Sequence, residues 1–218
     1  LPERYEVGEE VAGPDAILVR SADMHAMELP AGLKAIGRAG AGTNNIPVEK
    51  CAEAGIVVFN TPGANANAVR ELVIAGLLLS GRDIIGGIQW AYGLKGQGAA
   101  VAKMVEKGKS QFVGPELKGK RLGVVGMGAI GVLVANAAVG LDMKVYGYDP
   151  FMSVDAALHL TRQVTRVDDM DTLFAECDYI TLHLPLNGQT RGMVNAARLG
   201  MMKEGAVLLN FSRGELVD

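Results

Sequence analysis

The chain has 218 residues, 49% of them hydrophobic and 21% charged, with a net charge of −3. That is a globular balance, long enough for one large or two small domains, and the lack of a long basic run argues against nucleic acid as a partner. Two cysteines, Cys51 and Cys177, are too few for a disulfide framework and favour a cytoplasmic setting, while the longest apolar run, within Leu72 to Leu79, is too short to span a bilayer, so no membrane partner is expected.

In chain order, Arg4 to Val7 is predicted as an edge strand. Ala16 to Val19 is predicted as a buried strand that delivers Arg20, Ser21 and Ala22 to a loop. Leu33 to Ile36 is a further strand, leading into Arg38-Ala-Gly40-Ala41-Gly42. Val48 to Ala54 reads as a short helix and Ile56 to Phe59 as a strand ending at Asn60. Short strands alternating with helical segments predict a parallel sheet. Its carboxyl-end loops are where open α/β sheets place ligands. Asn65 to Ile85 reads as one long helix, and Gly86 to Ser110 as helix-prone but interrupted by glycines. A first domain is placed at residues 1–63 and a second at 64–218.

The strongest pattern follows. Leu122 to Val125 is a short apolar strand, and Gly126-Met-Gly128-Ala129-Ile130-Gly131 has the spacing G-x-G-x-x-G. An Ala- and Val-rich helix runs on to Val139, and a second strand, Lys144 to Tyr148, ends in Asp149. This is a dinucleotide-binding unit with its context intact. Gly126 permits the turn out of the strand, Gly128 clears space for a pyrophosphate, and Gly131 lets the helix pack close. The helix N-terminus, with Ala129 and Ile130 in its first turn, offers N–H groups to the phosphates. Asp149 stands 18 residues beyond Gly131, near the usual ~20. A carboxylate there accepts bonds from ribose hydroxyls and repels a 2′-phosphate. Pro150 and Phe151 follow it, so no adjacent cation replaces it, and NAD is favoured over NADP.

Beyond Asp149, Asp168 to Ala175 is predicted as a helix capped by Asp168 or Asp169. Tyr179 to Pro185 is a strand running into a loop, Ala196 to Met202 a short helix, and Ala206 to Asn210 a buried strand before Phe211-Ser212-Arg213. His183 reads as a hydrogen-bonded histidine at a cofactor edge rather than a base, and His25 and His159 as surface residues. Glu71, inside an apolar helix, reads as a cap or backbone contact. No cluster has metal-ligand spacing, so no metal is expected.

Gly37-Arg-Ala-Gly40-Ala-Gly-Thr-Asn-Asn45, Asn60-Thr-Pro62, the glycine fingerprint, Gly147-Tyr-Asp-Pro150, His183-Leu-Pro-Leu186 with Thr190-Arg-Gly192, and Asn210-Phe-Ser-Arg-Gly214 together resemble the D-isomer-specific 2-hydroxyacid dehydrogenases. Val19-Arg-Ser-Ala22 and Gly37-Arg-Ala-Gly40 look most like the members that oxidise 3-phosphoglycerate toward serine. Other members act on glycerate, hydroxypyruvate or D-lactate, and some are non-catalytic NAD-sensing proteins. The resemblance implies a doubly wound Rossmann sheet with a smaller flavodoxin-like substrate domain, incomplete at both ends, and a homodimer or higher homo-oligomer. Arg213 would be the catalytic arginine that pairs with the substrate carboxylate. Ser21, Ala22, Gly40 and Ala41 would lie against the substrate, with Arg20 and Arg38 as phosphate candidates. His183, Leu184, Pro185 and Thr190 would line NAD, with Phe211 and Ser212 near the nicotinamide. The family's acid–base histidine and its glutamate partner fall beyond Asp218, so residues 1–218 alone are expected to turn over poorly.

Overall fold

The computed structural model describes residues 4–218. The chain forms two compact units, divided between Asn65 and Ala66.

In the first unit, β1 (Ala16–Val19), β2 (Ala35–Arg38) and β3 (Val57–Phe59) form a parallel sheet in that spatial order, with α1 (Val48–Glu53) between β2 and β3. The register pairs Ile17 with Ile36 and Ile36 with Val58. Strand side chains alternate in direction. Ile17, Val19, Ile36 and Val58 therefore share one face, where they pack with Met24, Leu33, Ile46, Cys51 and Ile56. The opposite face, bearing Leu18, Val57 and Phe59, is exposed. β1 is thus buried on one side only, not throughout as predicted. The edge strand predicted at Arg4 to Val7 does not form: all four residues are exposed and unpaired with the sheet.

The second unit opens with α2 (Ala66–Gly81), α3 (Ile84–Gly93) and α4 (Val101–Gly108). The long helix predicted to reach Ile85 is broken. Gly114 and Pro115 press on the end of α2, so that a Cβ at Gly114 would stand 1.9 Å from the Gly81 carbonyl oxygen. Asp83 then caps a new helix, its Oδ1 accepting from Gly86 N at 2.8 Å. Glu71 is exposed on α2 and accepts from Asn67 one turn earlier, a side-chain pair in place of the predicted cap.

The sheet follows, with β4 (Arg121–Val125), α5 (Ala129–Gly140), β5 (Lys144–Tyr148), α6 (Val154–His159), β6 (Thr165–Arg166), α7 (Met170–Glu176), β7 (Tyr179–Leu182), α8 (Ala196–Met201) and β8 (Val207–Asn210). All five strands are parallel, in the order β6-β5-β4-β7-β8. The chain winds outward from β4 to β6, then returns to the other side of β4 with β7. That reversal is the topological switch point of a doubly wound sheet. One face packs Leu122, Val124, Val145 and Tyr179 against Val134, Ala135 and Ala138 of α5 and Val73 and Leu77 of α2. The other packs Val125, Ile180 and Leu182 against Leu173 and Phe174 of α7 and Leu216. Asp169 is the cap of α7, accepting from Asp171 N. Among the described residues no helix is long and apolar enough to cross a membrane.

Candidate functional site

The carboxyl ends of β4 and β7 meet at the switch point, and the glycine turn sits there. Gly126 has φ 93°, a left-handed conformation that favours glycine. A Cβ on it would stand 2.5 Å from the His183 carbonyl oxygen. A Cβ on Gly131 would stand 1.9 Å from the Gly126 carbonyl oxygen, so α5 starts against the turn itself. At Gly128 the opposite holds: a Cβ there would meet no atom within 4 Å. Gly128 is the N-cap of a twelve-residue helix, whose first-turn N–H groups, including those of Ala129 and Ile130, have no intrahelical acceptor. Open space, free donors and a positive helix end coincide, which suits a pyrophosphate.

Asp149 ends β5 beside this turn. Its Oδ2 accepts from Met127 N and its Oδ1 from Phe151 N, each at 2.8 Å. The carboxylate thus braces the turn while each oxygen keeps a further lone pair for a ribose hydroxyl. Pro150 and Phe151 are exposed beyond it.

His183 follows β7, with its backbone N bonded to Val125 O at 2.8 Å. Its Nε2 lies 3.0 Å from Thr181 Oγ1, and its Nδ1 is buried without a partner. Burial pushes its pKa down to about 4, so the ring is neutral at physiological pH. After Leu184 and Pro185 the loop is closed by its own side chains. Asn187 Oδ1 accepts from Gln189 N and Thr190 N. Thr190 Oγ1 donates to Pro185 O at 2.6 Å and accepts from Asn187 N. Thr190 therefore holds the loop in shape.

The loop after β8 is tied in the same way. Asn210 Oδ1 accepts from Ser212 N and its Nδ2 donates to Arg213 O. Ser212 Oγ donates to Leu182 O at 2.8 Å, fastening the loop to β7. Phe211 lies across Gly76 of α2, where an added Cβ would be 3.1 Å from the ring. Arg213 is exposed, its Nη1 donating to Ser212 O with no carboxylate partner among the described residues.

In the first unit, Arg20, Ser21 and Ala22 follow β1, and Arg38, Gly40 and Ala41 follow or end β2. Asn45 Nδ2 donates to Ala22 O and Asn60 Nδ2 to Ala41 O, so the three loops at the carboxyl end of the sheet are joined. Arg20 is exposed. The Arg38 guanidinium lies over Gly40, where a Cβ would be 1.8 Å from Nη1, and its Nε is buried without a partner. His25 pairs with Asp23 at 2.6 Å and His159 stands on α6; both are exposed. A cavity of 120 Å³ lined by Pro115, Tyr179 and Lys203 and one of 430 Å³ lined by Pro115 and Leu117 lie away from the glycine turn. No metal-holding group of His, Cys, Asp or Glu occurs among the described residues.

Residues 92–218 match the family model of the D-isomer specific 2-hydroxyacid dehydrogenases, NAD binding domain. The chain belongs to this family. It is 37% identical over 218 residues to D-3-phosphoglycerate dehydrogenase of Methanocaldococcus jannaschii, covering 99% of this chain and 39% of that protein. It is 36% identical over 222 residues to hydroxypyruvate reductase of Thermotoga maritima, covering 99% of this chain and 66% of that one. The crystal structure of D-lactate dehydrogenase from Aquifex aeolicus, complexed with NAD and lactic acid, superposes with a TM-score of 0.75 at 29% identity, over 94% of this chain and 58% of that chain. The chain thus spans about two fifths of the first relative's length.

The glycine turn, the braced Asp149 and the free end of α5 fit the NAD that this family's domain binds. The contacts that Thr181, Asn210 and Gly76 make are not legible in the sequence. A threonine in a strand reads as β-branched filler, and only its spacing of two from His183 hints at a shared face.

The depressed His183 pKa has a consequence for stability. The unfolded ring titrates near 6.5 and the folded one near 4. The unfolded chain therefore binds the proton first, and stability is lost as pH falls through that window. Between pH 6.5 and 4.5 the loss is expected to be about 2–3 kcal/mol. Denaturant unfolding at both pH values checks this, with His183→Gln expected to flatten the dependence.

Proposed function

We propose that the protein is an NAD-dependent oxidoreductase that moves a hydride between the cofactor and C2 of a D-2-hydroxy acid. The observation that carries the reading is the glycine turn at the switch point, braced by Asp149 through Met127 N. Bound NAD supplies the hydride acceptor. Gly126, Gly128 and Gly131 let the backbone approach the pyrophosphate, and Asp149 receives the adenosine ribose. His183, Leu184 and Pro185 form the adjoining wall, held in shape by Thr190. Phe211 and Ser212 stand at the nicotinamide end, and Arg213 pairs with the substrate carboxylate through its planar fork.

The substrate proposed is 3-phosphoglycerate, oxidised to 3-phosphohydroxypyruvate on the way to serine. Similarity to a phosphoglycerate dehydrogenase supports it. So does Arg38, whose Nε is the one guanidinium nitrogen both buried and unpartnered among the described residues. An unpaired buried donor beside a loop of small residues suits an arriving anion. Ser21, Ala22, Gly40 and Ala41 are proposed to meet the substrate through backbone groups, with Arg20 as a second cation. The hydroxypyruvate reductase relative keeps an unphosphorylated substrate as the competing reading.

A homodimer is proposed through the second unit. Leu72, Leu78 and Leu79 of α2 and Ile84, Ile85 and Ile88 of α3 are all exposed. So many exposed apolar side chains on two successive helices favour a two-fold contact.

Three measurements test these readings. Fluorescence titration should show NADH binding better than NADPH, with Asp149→Ala lowering NADH affinity about tenfold, ~1.4 kcal/mol, and narrowing the preference; equal affinities in the unmutated protein contradict the assignment of Asp149. Arg38→Glu in the full-length enzyme should raise KM for 3-phosphoglycerate by about tenfold or more and leave that for glycerate nearly unchanged. Equal use of glycerate by the unmutated enzyme decides for the unphosphorylated substrate. Light scattering at tens of micromolar, on the order of ordinary assay concentrations, should give a dimer; a monomer removes that proposal.

A further inference from the structure

Gly76 lies well inside α2, which runs unbroken from Ala66 to Gly81. Glycine is the poorest helix former after proline, so a glycine in a helix interior needs a local reason. Backbone conformation is not that reason, because Gly76 does not have a positive φ. Space is. A Cβ at Gly76 would stand 3.1 Å from Cζ and 3.2 Å from Cε2 of Phe211. Both are tighter than a carbon contact favours, whereas Leu209 Cδ2, at 3.5 Å, would be an ordinary neighbour. The Phe211 ring therefore takes up the room that a side chain at position 76 would need. Phe211 is 40% exposed, so the ring has solvent beside it into which it can be pushed.

Three consecutive residues of the loop after β8 are held by different means. Asn210 Oδ1 accepts from Ser212 N, and its Nδ2 donates to the Arg213 carbonyl. Ser212 Oγ donates to Leu182 O on β7. Phe211 stands between them, and its ring ties the loop to α2. Arg213 comes next, in an extended conformation of φ −129° and ψ 134°. Its side chain is exposed and has no carboxylate partner among the described residues. With the loop fixed to a strand on one side and a helix on the other, the direction in which Arg213 leaves it is set before any ligand arrives. Preorganised binding has this requirement.

We propose that Gly76 and Phe211 form a positioning pair for Arg213: the gap in α2 at Gly76 seats the Phe211 ring, and the seat aims the arginine at a substrate carboxylate. The inference rests on the reading that Arg213 pairs with that carboxylate. It adds a cause for the glycine, which weakens α2 as a helix yet leaves the space that the loop needs. Position 76 is then a place where a larger side chain acts on the substrate without touching it.

The test uses the full-length enzyme with Gly76→Leu, with Phe211→Ala, and with both together. The substrate is 3-phosphoglycerate, or glycerate if the unmutated enzyme prefers it. A carboxylate contact made equally in the ground and transition states is read in KM more than in kcat. Each single change should raise KM for the acid about tenfold, with kcat falling less. The double variant should recover most of the loss, because the leucine fills the seat and gives the smaller residue at position 211 a surface to rest on. Such recovery is a coupling between the two sites, which independent damage does not produce. Fluorine NMR of fluorophenylalanine placed at position 211 reads the seat itself. The difference in its shift between light and heavy water, a measure of solvent at the ring, should grow in Gly76→Leu.

Unchanged KM in the single variants overturns the proposal. So does a double variant no better than the worse single one, or a fluorine signal that Gly76→Leu leaves unmoved. If Gly76→Leu alone does not fold, Phe211→Ala must still raise KM and the double variant must still lower it again. An unmutated enzyme that turns over no 2-hydroxy acid ends the reading of Arg213 and this proposal with it, whereas turnover with an unmoved KM ends the proposal alone.

Discussion

The structure of the second unit depends on how closely backbone approaches backbone at Gly126. The turn out of β4 lies against the His183 carbonyl on one side and beneath the first turn of α5 on the other. No side chain fits at Gly126 or Gly131 without moving one of these elements, and the elements are the central strands and the helix between them. Asp149 then closes the third side by accepting from Met127 N. Turn, strand, crossover helix and second strand are therefore one rigid object, and the space left at Gly128 is what that object does not fill. Rigid elements place binding groups more accurately than loops do. Here even the loops are stiffened, by Asn187 with Thr190 and by Asn210 with Ser212.

Those ties account for much of what was and was not legible in the sequence. The stretch from Arg121 to Asp149 could be read almost residue by residue. A continuous apolar strand, a glycine turn, an Ala- and Val-rich helix and a terminal carboxylate each have one physical use, and the uses agree. Elements whose form depends on distant packing were not readable in this way. The break between α2 and α3 comes from Gly114 and Pro115 pressing on Gly81, more than thirty residues away in the chain. β6 is two exposed residues on a sheet edge, too short for alternation to show. Arg4 to Val7 alternates like a strand but finds no partner, since periodicity tests one chain segment and a strand needs two.

At the site the same division appears. Glycines and the acidic residue announce themselves because few other uses exist for them at that spacing. The asparagines do not. Asn45, Asn60 and Asn210 look like ordinary loop residues, yet each spends its side chain on a backbone carbonyl or amide that would otherwise leave a carboxyl-end loop loose. Asn210 mimics a backbone turn, accepting from the amide two residues on, whereas Asn45 and Asn60 tie their loops to carbonyls 23 and 19 residues away.

The charges complete the picture. Arg70, Arg121, Arg166 and Arg198 all have carboxylates within ion-pair distance, and Arg121 also lies over the Tyr146 ring. These cations serve the fold. Among the described residues Arg38 and Arg213 instead reach only backbone or nothing, although each is at the carboxyl end of a parallel strand. A guanidinium left without a counter-ion in such a place gives the loop a standing positive potential, and a carboxylate or phosphate is the chemistry that potential attracts. His183 is handled in the opposite sense. Burial keeps it neutral, so it adds no charge at the carboxyl end of β7. A neutral histidine and charged guanidiniums are thus held at different strand ends, beside loops that are stiffened by their own side-chain ties.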